Sequence, residues 1–307
     1  MKLMKSNPIL LVAGEPNSIF LEIFFKTLKK KKIKSPIILI CSEKILKLQM
    51  KHFNFKRKIR NLNYKKLNEY KIDNKSINLI NINYNQSFSF EKISSKSNDY
   101  IKKSFIIAFK IIKKYNFKNF INGPIVKKTF LQKKYLGVTE YISNKFKINK
   151  YAMLIYNKNL SVCPITTHLP LRSVSKKITK ENICKKIILI DNFYKKKLNK
   201  KPKIAVLGLN PHCESVNKLN EDEKIIKPAT EILYKKGFDI SGPYSADTFF
   251  IKKNRKKYDV VIGMYHDQVL TPIKTLFEYD AINITLGLPF LRISPDHGPN
   301  EKMMGKN

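Results

Sequence analysis

Short runs of consecutive apolar residues, each closed by a turn residue, recur along the chain at 9–13, 37–40, 203–208 and 260–264. Their length and β-branched content predict strands buried on both faces, as in parallel sheets. The run at 281–286 alternates apolar with polar residues and predicts a half-buried strand, and shorter strands are expected near 77–83 and at Phe120-Ile121. Between these lie stretches with helical spacing, from about residue 19 into the lysine run at 29–32, and at 99–114, 176–198 and 222–236. Strands alternating with helices predict an α/β fold with mostly parallel sheets and flanking helices. Residues 44–98 are rich in Lys and Asn with weak periodicity, and read as peripheral structure with a solvated lysine face. After residue 286, Gly287, Pro289 and Gly298 break the pattern into loops carrying Arg292, Asp296 and His297.

Length and composition then bound the class. With 307 residues, 43% of them hydrophobic, the chain can bury one large or two ordinary α/β cores. A formal net charge of +38 raises the question of a polyanion partner. Only five of the 61 basic residues are arginines, at 57, 60, 172, 255 and 292, whereas readers of nucleic acid lean on arginine for bidentate base contacts. Lys, Asn and Ile all have A/T-rich codons, so the charge reads as lysine enrichment, with no specific nucleic acid as partner. Cys41, Cys163, Cys184 and Cys213 form no CxxC pair, which argues against a disulfide framework or a zinc knuckle. The N-terminal apolar run ends at Gly14-Glu15, too short for a signal-peptide core, and no run approaches the length of a membrane span, so a soluble, cytoplasmic protein is expected.

Candidate chemistry concentrates at 258–298, where the strand at 260–264 runs into His266-Asp267. Two other histidines share this setting, His168 in SVCPITTHLPL and His212 in IAVLGLNPHCES, each just after a strand-like run. One histidine after a strand is usually an ordinary loop residue. Three in the same setting are different, because a sheet brings strand ends together and three imidazoles with an open position describe a catalytic metal site. Asp267 and Glu214 are candidates to orient the rings. The ten glycines form neither GxGxxG nor GxxxxGK[ST].

The segments GLNPH at 208–212, GPYSADTFF at 242–250, YHDQ at 265–268, NITLGLPFLR at 283–292 and DHG at 296–298 resemble the 4-hydroxythreonine-4-phosphate dehydrogenases of pyridoxal phosphate biosynthesis. Gly123-Pro124, the TEY at 139–141 and the TTHLPL at 166–171 also fall in family order. The resemblance implies a two-domain fold like that of isocitrate and isopropylmalate dehydrogenases, with residues 1–125 plus 285–307 on the cofactor side and 126–284 carrying metal, substrate and dimer contacts. It implies one divalent ion per subunit, zinc, magnesium or cobalt, on His168, His212 and His266, the last supplied by the partner subunit of a homodimer whose active site lies at the interface. Thr139, Lys274, Asn283 and Arg292 would hold the phosphorylated substrate, with Lys274 also in the catalytic set, and NAD or NADP would sit near Asp296, His297 and Gly298.

The implied reaction oxidises 4-phosphooxy-L-threonine to a β-keto acid, which decarboxylates to 3-amino-2-oxopropyl phosphate. Several positions depart from the family pattern. Val138 stands where the family has histidine before its Thr-Glu, and GEPNSIF at 14–20 replaces a glycine-rich GDPAGIG. Cys213-Glu214 is one residue short of the usual Ala-Gly-Glu, and the chain stops before the family's usual last helix. These changes keep alive two other readings, a dehydrogenase for another phosphorylated hydroxy acid and a decayed, non-enzymatic basic binding protein.

Overall fold

The computed structural model describes residues 7–126, 135, 137–214 and 220–306. The chain forms two compact units, Met1–Val138 with Pro289–Asn307, and Thr139–Leu288. The divisions thus fall at 138/139 and 288/289, against the 125/126 and 284/285 expected from sequence.

The first unit is a wholly parallel six-stranded sheet. Its strands are β1 (Ile9–Val12), β2 (Ile37–Cys41), β3 (Ile59–Asn61), β4 (Ile77–Asn81), β5 (Asn119–Asn122) and, from the end of the chain, β12 (Leu291–Pro295), in the order β3-β4-β2-β1-β5-β12. β2 is buried at every position, as its unbroken apolar run requires of a central parallel strand. Helix α1 (Phe20–Lys30) lays Phe20, Leu21, Phe24 and Phe25 on the core, while its basic last turn suits the negative end of the helix dipole. Helix α2 (Glu43–His52) starts where Ser42 Oγ accepts from Ile45 N, and α3 (Asn98–Tyr115) ends at Asn116 in the left-handed conformation.

Two sequence expectations fail here. Residues 44–98 are not peripheral: α2 packs Ile45 and Leu46 into the core, and β4 lies inside the sheet between β3 and β2. Lysine and asparagine on the exposed faces masked a pattern whose buried positions are few but fully enclosed. Arg292 lies not in a loop but on β12, where alternate positions are buried. Its arginine, serine and proline read as loop residues until the neighbouring strand supplied a partner.

In the second unit, β6 (Ala152–Tyr156), β7 (Ser161–Pro164), β8 (Ile204–Leu207), β9 (Ile240–Tyr244), β10 (Val260–Gly263) and β11 (Ile282–Leu286) form the order β11-β6-β7-β10-β8-β9. β6 is antiparallel to both neighbours, and β7, β10, β8 and β9 are mutually parallel. A hairpin connects β6 to β7, with Asn157 Oδ1 accepting from Asn159 N at 2.8 Å. Helices α4 (Val138–Lys145), α5 (Lys180–Leu198), α6 (Lys227–Lys235) and α7 (His266–Phe277) accompany this sheet, and Val162, Ala205, Leu207, Val261, Val269 and Ile273 share its core. No helix among the described residues is long and apolar enough to cross a membrane.

Candidate metal and substrate site

The three histidines follow β7, β8 and β10, which are adjacent, parallel and ordered β7-β10-β8. All three loops therefore leave the same edge of the sheet, at the carboxyl ends of the strands, where open α/β folds bind ligands. Hydrogen bonds lock the two outer loops onto the exit of β10. From the β7 side, Ile165 N donates to Gly263 O at 2.7 Å and Thr166 Oγ1 to Met264 O at 2.8 Å. From the β8 side, Gln268 accepts from Met264 N and donates to Gly208 O, both at 2.7 Å.

His168 and His266 come together, with ring centroids 5.6 Å apart and planes inclined by 38°. With metal–nitrogen bonds of about 2.0–2.1 Å, two imidazoles on one ion place their centroids roughly 5–6 Å apart, so the pair has a suitable spacing. Each ring turns Nδ1 toward a carboxylate: His266 Nδ1 is 2.6 Å from Asp267 Oδ1, and His168 Nδ1 is 3.9 Å from Glu140 Oε1. This is the pattern by which outer carboxylates fix the tautomer and direction of metal-binding histidines. Both rings of this pair belong to one chain.

His212 stands on a turn, Pro211–Cys213, with left-handed backbone at His212 (φ 55°) and Cys213 (φ 61°); His168 is also left-handed (φ 32°). Such strain in non-glycine residues clusters at functional sites. Asp222, wholly buried, shapes this turn by accepting from Leu209 N at 2.7 Å, Asn210 N at 3.1 Å and Asn210 Nδ2 at 2.8 Å. A side chain at Gly208 would meet Cys213 Sγ at 2.6 Å and Asp222 Oδ1 at 2.7 Å, so the turn closes only over glycine. Asp247 lies near His212; its bonds from Ser245 Oγ and Thr248 N, with the imidazole's charge, hold its carboxyl below the ordinary aspartate value. Among the described residues His212 makes no ring contact with the other two histidines, and no group of three or more His, Cys, Asp or Glu stands close enough to hold an ion. The donor chemistry of the three histidines and the spacing of one pair suit a divalent ion, while His212 stands apart from the other two rings.

Glu140 is a residue that sequence reasoning passed over. Burial pushes its carboxyl up, but the nearby His168 ring, its own backbone and the Thr167 hydroxyl hold it below the ordinary glutamate value. Nothing in the sequence marks it beyond its place in the Thr-Glu-Tyr motif, because its partner is 28 residues away in the chain and reached only through the fold. Asp222 and Gln268 were passed over for the same reason. Glu214, expected to orient a ring, makes no ion pair with a histidine among the described residues.

Of the expected substrate residues, Thr139 is buried with its Oγ1 3.4 Å from Thr285 Oγ1. Asn283 is two residues before Thr285 on β11, hence on the same face, and its Oδ1 is buried without a hydrogen-bond partner among the described residues. Lys274 lies on α7, its ammonium 5.6 Å from the centre of the Tyr279 ring. Val138 offers no hydrogen bond at the start of α4.

Arg292 belongs to the first unit, is 1% exposed, and donates from Nε to Asn122 Oδ1 at 2.8 Å. Asp296, His297 and Gly298 follow β12, and His297 Nδ1 lies 2.7 Å from Gly298 O within the turn. The altered loop after β1 is closed by its own side chains. Glu15, 2% exposed, accepts from Asn17 N at 3.2 Å and from Ser97 Oγ at 2.8 Å, and Asn17 Oδ1 accepts from Glu91 N at 2.8 Å. Burial raises the Glu15 carboxyl despite these bonds. Gly14, at φ 78°, keeps the glycine that the loop needs, since a Cβ there would meet Pro124 O at 2.5 Å.

The model for the pyridoxal phosphate biosynthetic protein PdxA family matches residues 32–307. The chain belongs to this family. A 4-hydroxythreonine-4-phosphate dehydrogenase of Sulfurihydrogenibium sp. is 45% identical over 192 residues, 61% of this chain and 59% of the relative. A D-threonate 4-phosphate dehydrogenase of Pectobacterium atrosepticum is 38% identical over 165 residues, 53% of this chain and 51% of the relative. The chain thus spans between half and three-fifths of the length of these curated relatives. The crystal structure of a 4-hydroxythreonine-4-phosphate dehydrogenase from Klebsiella pneumoniae superposes with a TM-score of 0.78 at 28% identity, covering 98% of this chain and 94% of that one. At the level of fold alone, a β-decarboxylating dehydrogenase from Thermococcus kodakarensis matches with a TM-score of 0.50 at 11% identity, covering 97% of this chain and 77% of that one. The expected fold class, α/β with mostly parallel sheets, is the one found, and the likeness to the β-decarboxylating dehydrogenase is one of fold.

Proposed function

We propose that this PdxA-family chain carries out the NAD(P)-dependent, divalent-metal-assisted oxidation of 4-phosphooxy-L-threonine to a β-keto acid that loses carbon dioxide, giving 3-amino-2-oxopropyl phosphate. The observation that carries the reading is the pair of imidazoles, His168 and His266, 5.6 Å apart at the carboxyl ends of adjacent parallel strands, each with Nδ1 toward a carboxylate. His168, His212 and His266 would hold one ion per subunit through Nε2, and imidazole donors favour zinc or cobalt over magnesium. When bound, the ion lowers the pKa of the substrate hydroxyl and stabilises the charge left by departing carbon dioxide, while the nicotinamide takes the hydride.

The chain's own groups do the positioning. Thr139 and Asn283 offer a hydroxyl and a carboxamide, and an amide can present either its oxygen or its nitrogen to a ligand. Lys274 and Arg292 neutralise the phosphate, whichever subunit each comes from, the fork of Arg292 being steadied at Nε by Asn122. Asp296, His297 and Gly298 receive the nicotinamide cofactor; their place after the carboxyl end of β12 supports this. A homodimer with an interfacial active site is part of the reading, supported by the exposed apolar side chains of Leu276, Tyr279 and Ile282 close in sequence to Lys274.

Metal analysis of the purified protein tests the site. About one divalent ion per subunit is expected, with loss of both metal and turnover in His168→Ala, His212→Ala and His266→Ala. Wild-type metal content in two of these three variants would remove the site. A second reading, oxidation of another phosphorylated hydroxy acid, rests on Val138 and on the D-threonate 4-phosphate relative. The two substrates differ in an ammonium against a hydroxyl beside the carboxylate, and a substrate panel separates them.

A further inference from the structure

Glu140 has no part in the reading above, yet its surroundings mark it. It stands in the first turn of α4, with a side chain 14% exposed. Thr167 Oγ1 donates to its Oε1 at 3.1 Å, and that oxygen is the one 3.9 Å from His168 Nδ1. Its other oxygen, Oε2, is buried without a hydrogen-bond partner among the described residues. A purely structural carboxylate would be expected to have both oxygens met, because leaving one desolvated and unpaired is costly.

The chain has only 23 acidic residues among 307, yet one faces Nδ1 of each ring in the pair, Asp267 from α7 and Glu140 from α4. Asp267 is a chain neighbour of His266, whereas Glu140 is brought to His168 by the fold and then held by Thr167, the residue before that histidine. His168 itself has a left-handed backbone, φ 32°, so the direction of its ring depends on such side-chain support.

We propose that Glu140 is the positioning residue of His168: Oε1 accepts the Nδ1 proton, fixes the ring as the Nδ1–H tautomer and presents Nε2 to the divalent ion. In the metal-bound protein the gap of 3.9 Å would shorten to hydrogen-bond length, since bonds of this kind are often long in the unliganded site and tighten on ligation. Thr167 keeps the carboxylate from swinging away while this happens. The inference rests on the metal reading and deepens it.

Its test is cobalt binding to the full-length protein, measured by competition with a chelating dye, together with nitrogen-15 spectra of the histidine rings before metal is added. Glu140→Ala is expected to weaken cobalt binding by about 10- to 100-fold and to turn His168 from a single Nδ1–H tautomer into a mixture. Glu140→Gln keeps an acceptor oxygen and nearly the same volume, so its loss should be smaller and the tautomer largely kept. This variant carries the test should Glu140→Ala fail to fold. Wild-type cobalt affinity and an unchanged His168 tautomer in a folded Glu140→Ala protein would overturn the proposal. So would losses in both variants as large as that of His168→Ala, which would make Glu140 a ligand. A wild-type protein that binds no cobalt would instead remove the metal reading beneath it.

Discussion

Asp222 is the residue on which the position of His212 depends, and replacing it with asparagine gives a defined cost. The carboxylate is wholly buried and accepts three hydrogen bonds, from Leu209 N at 2.7 Å, Asn210 N at 3.1 Å and Asn210 Nδ2 at 2.8 Å. An amide of the same shape has one acceptor oxygen. If that oxygen keeps the two bonds from Asn210, the new NH2 faces Leu209 N–H; if it keeps Leu209, both Asn210 donors face NH2. A hydrogen bond to a charged group contributes about 1.5–3 kcal/mol, and one is lost in the better case, with a donor set against a donor. Relief from burying a charge offsets part of this, so opening of the turn should become easier by about 2–4 kcal/mol. At roughly 1.4 kcal/mol per decade, amide exchange in peptides spanning 205–214 should accelerate roughly 30- to 700-fold in Asp222→Asn, with β6 and β7 unchanged. Unaltered protection at Leu209 and Asn210 in a folded variant would refute the idea that this carboxylate holds the turn.

Two further outcomes follow from the same geometry. Arg292→Lys keeps the charge but loses the planar fork and the Nε bond to Asn122, so the Michaelis constant for the phosphorylated substrate should rise about tenfold with kcat little changed; steady-state kinetics read both. Mixing His168→Ala with His266→Ala subunits tests whether the site is shared: partial recovery of activity after proven subunit exchange is the outcome if the partner subunit supplies His266, and no recovery would place both rings on one chain.

The parts of the fold legible in the sequence are those where one strand's burial decides its composition. β2, β8 and β10 are enclosed on both faces and had to be unbroken apolar runs, so their place was visible without any partner. The histidine that follows each of β7, β8 and β10 was visible for the same reason. Strand order was not, and it is the order β7-β10-β8 that turns three separated histidines into residents of one sheet edge. β12 was hidden because Arg292, Ser294 and Pro295 are unusual in strands, and only pairing with β5 makes sense of them. Glu140, Asp222 and Gln268 could not be found by motif, since each acts on a backbone or ring remote in sequence. The loop after β1 departs from the glycine-rich pattern of the family. It has instead become a self-satisfied turn built on Glu15 and Asn17.

The central claim is that this chain oxidises a phosphorylated hydroxy amino acid by way of a divalent ion on its histidines. Its most direct test is reduction of NAD or NADP by the purified full-length protein with 4-phosphooxy-L-threonine, after chelation and again after zinc or cobalt is restored. The expected result is no reduction in the stripped protein, recovery with the metal, and none in His168→Ala under either condition. Metal-replete protein that reduces neither cofactor with this substrate would contradict the account, as would turnover that survives both chelation and loss of His168.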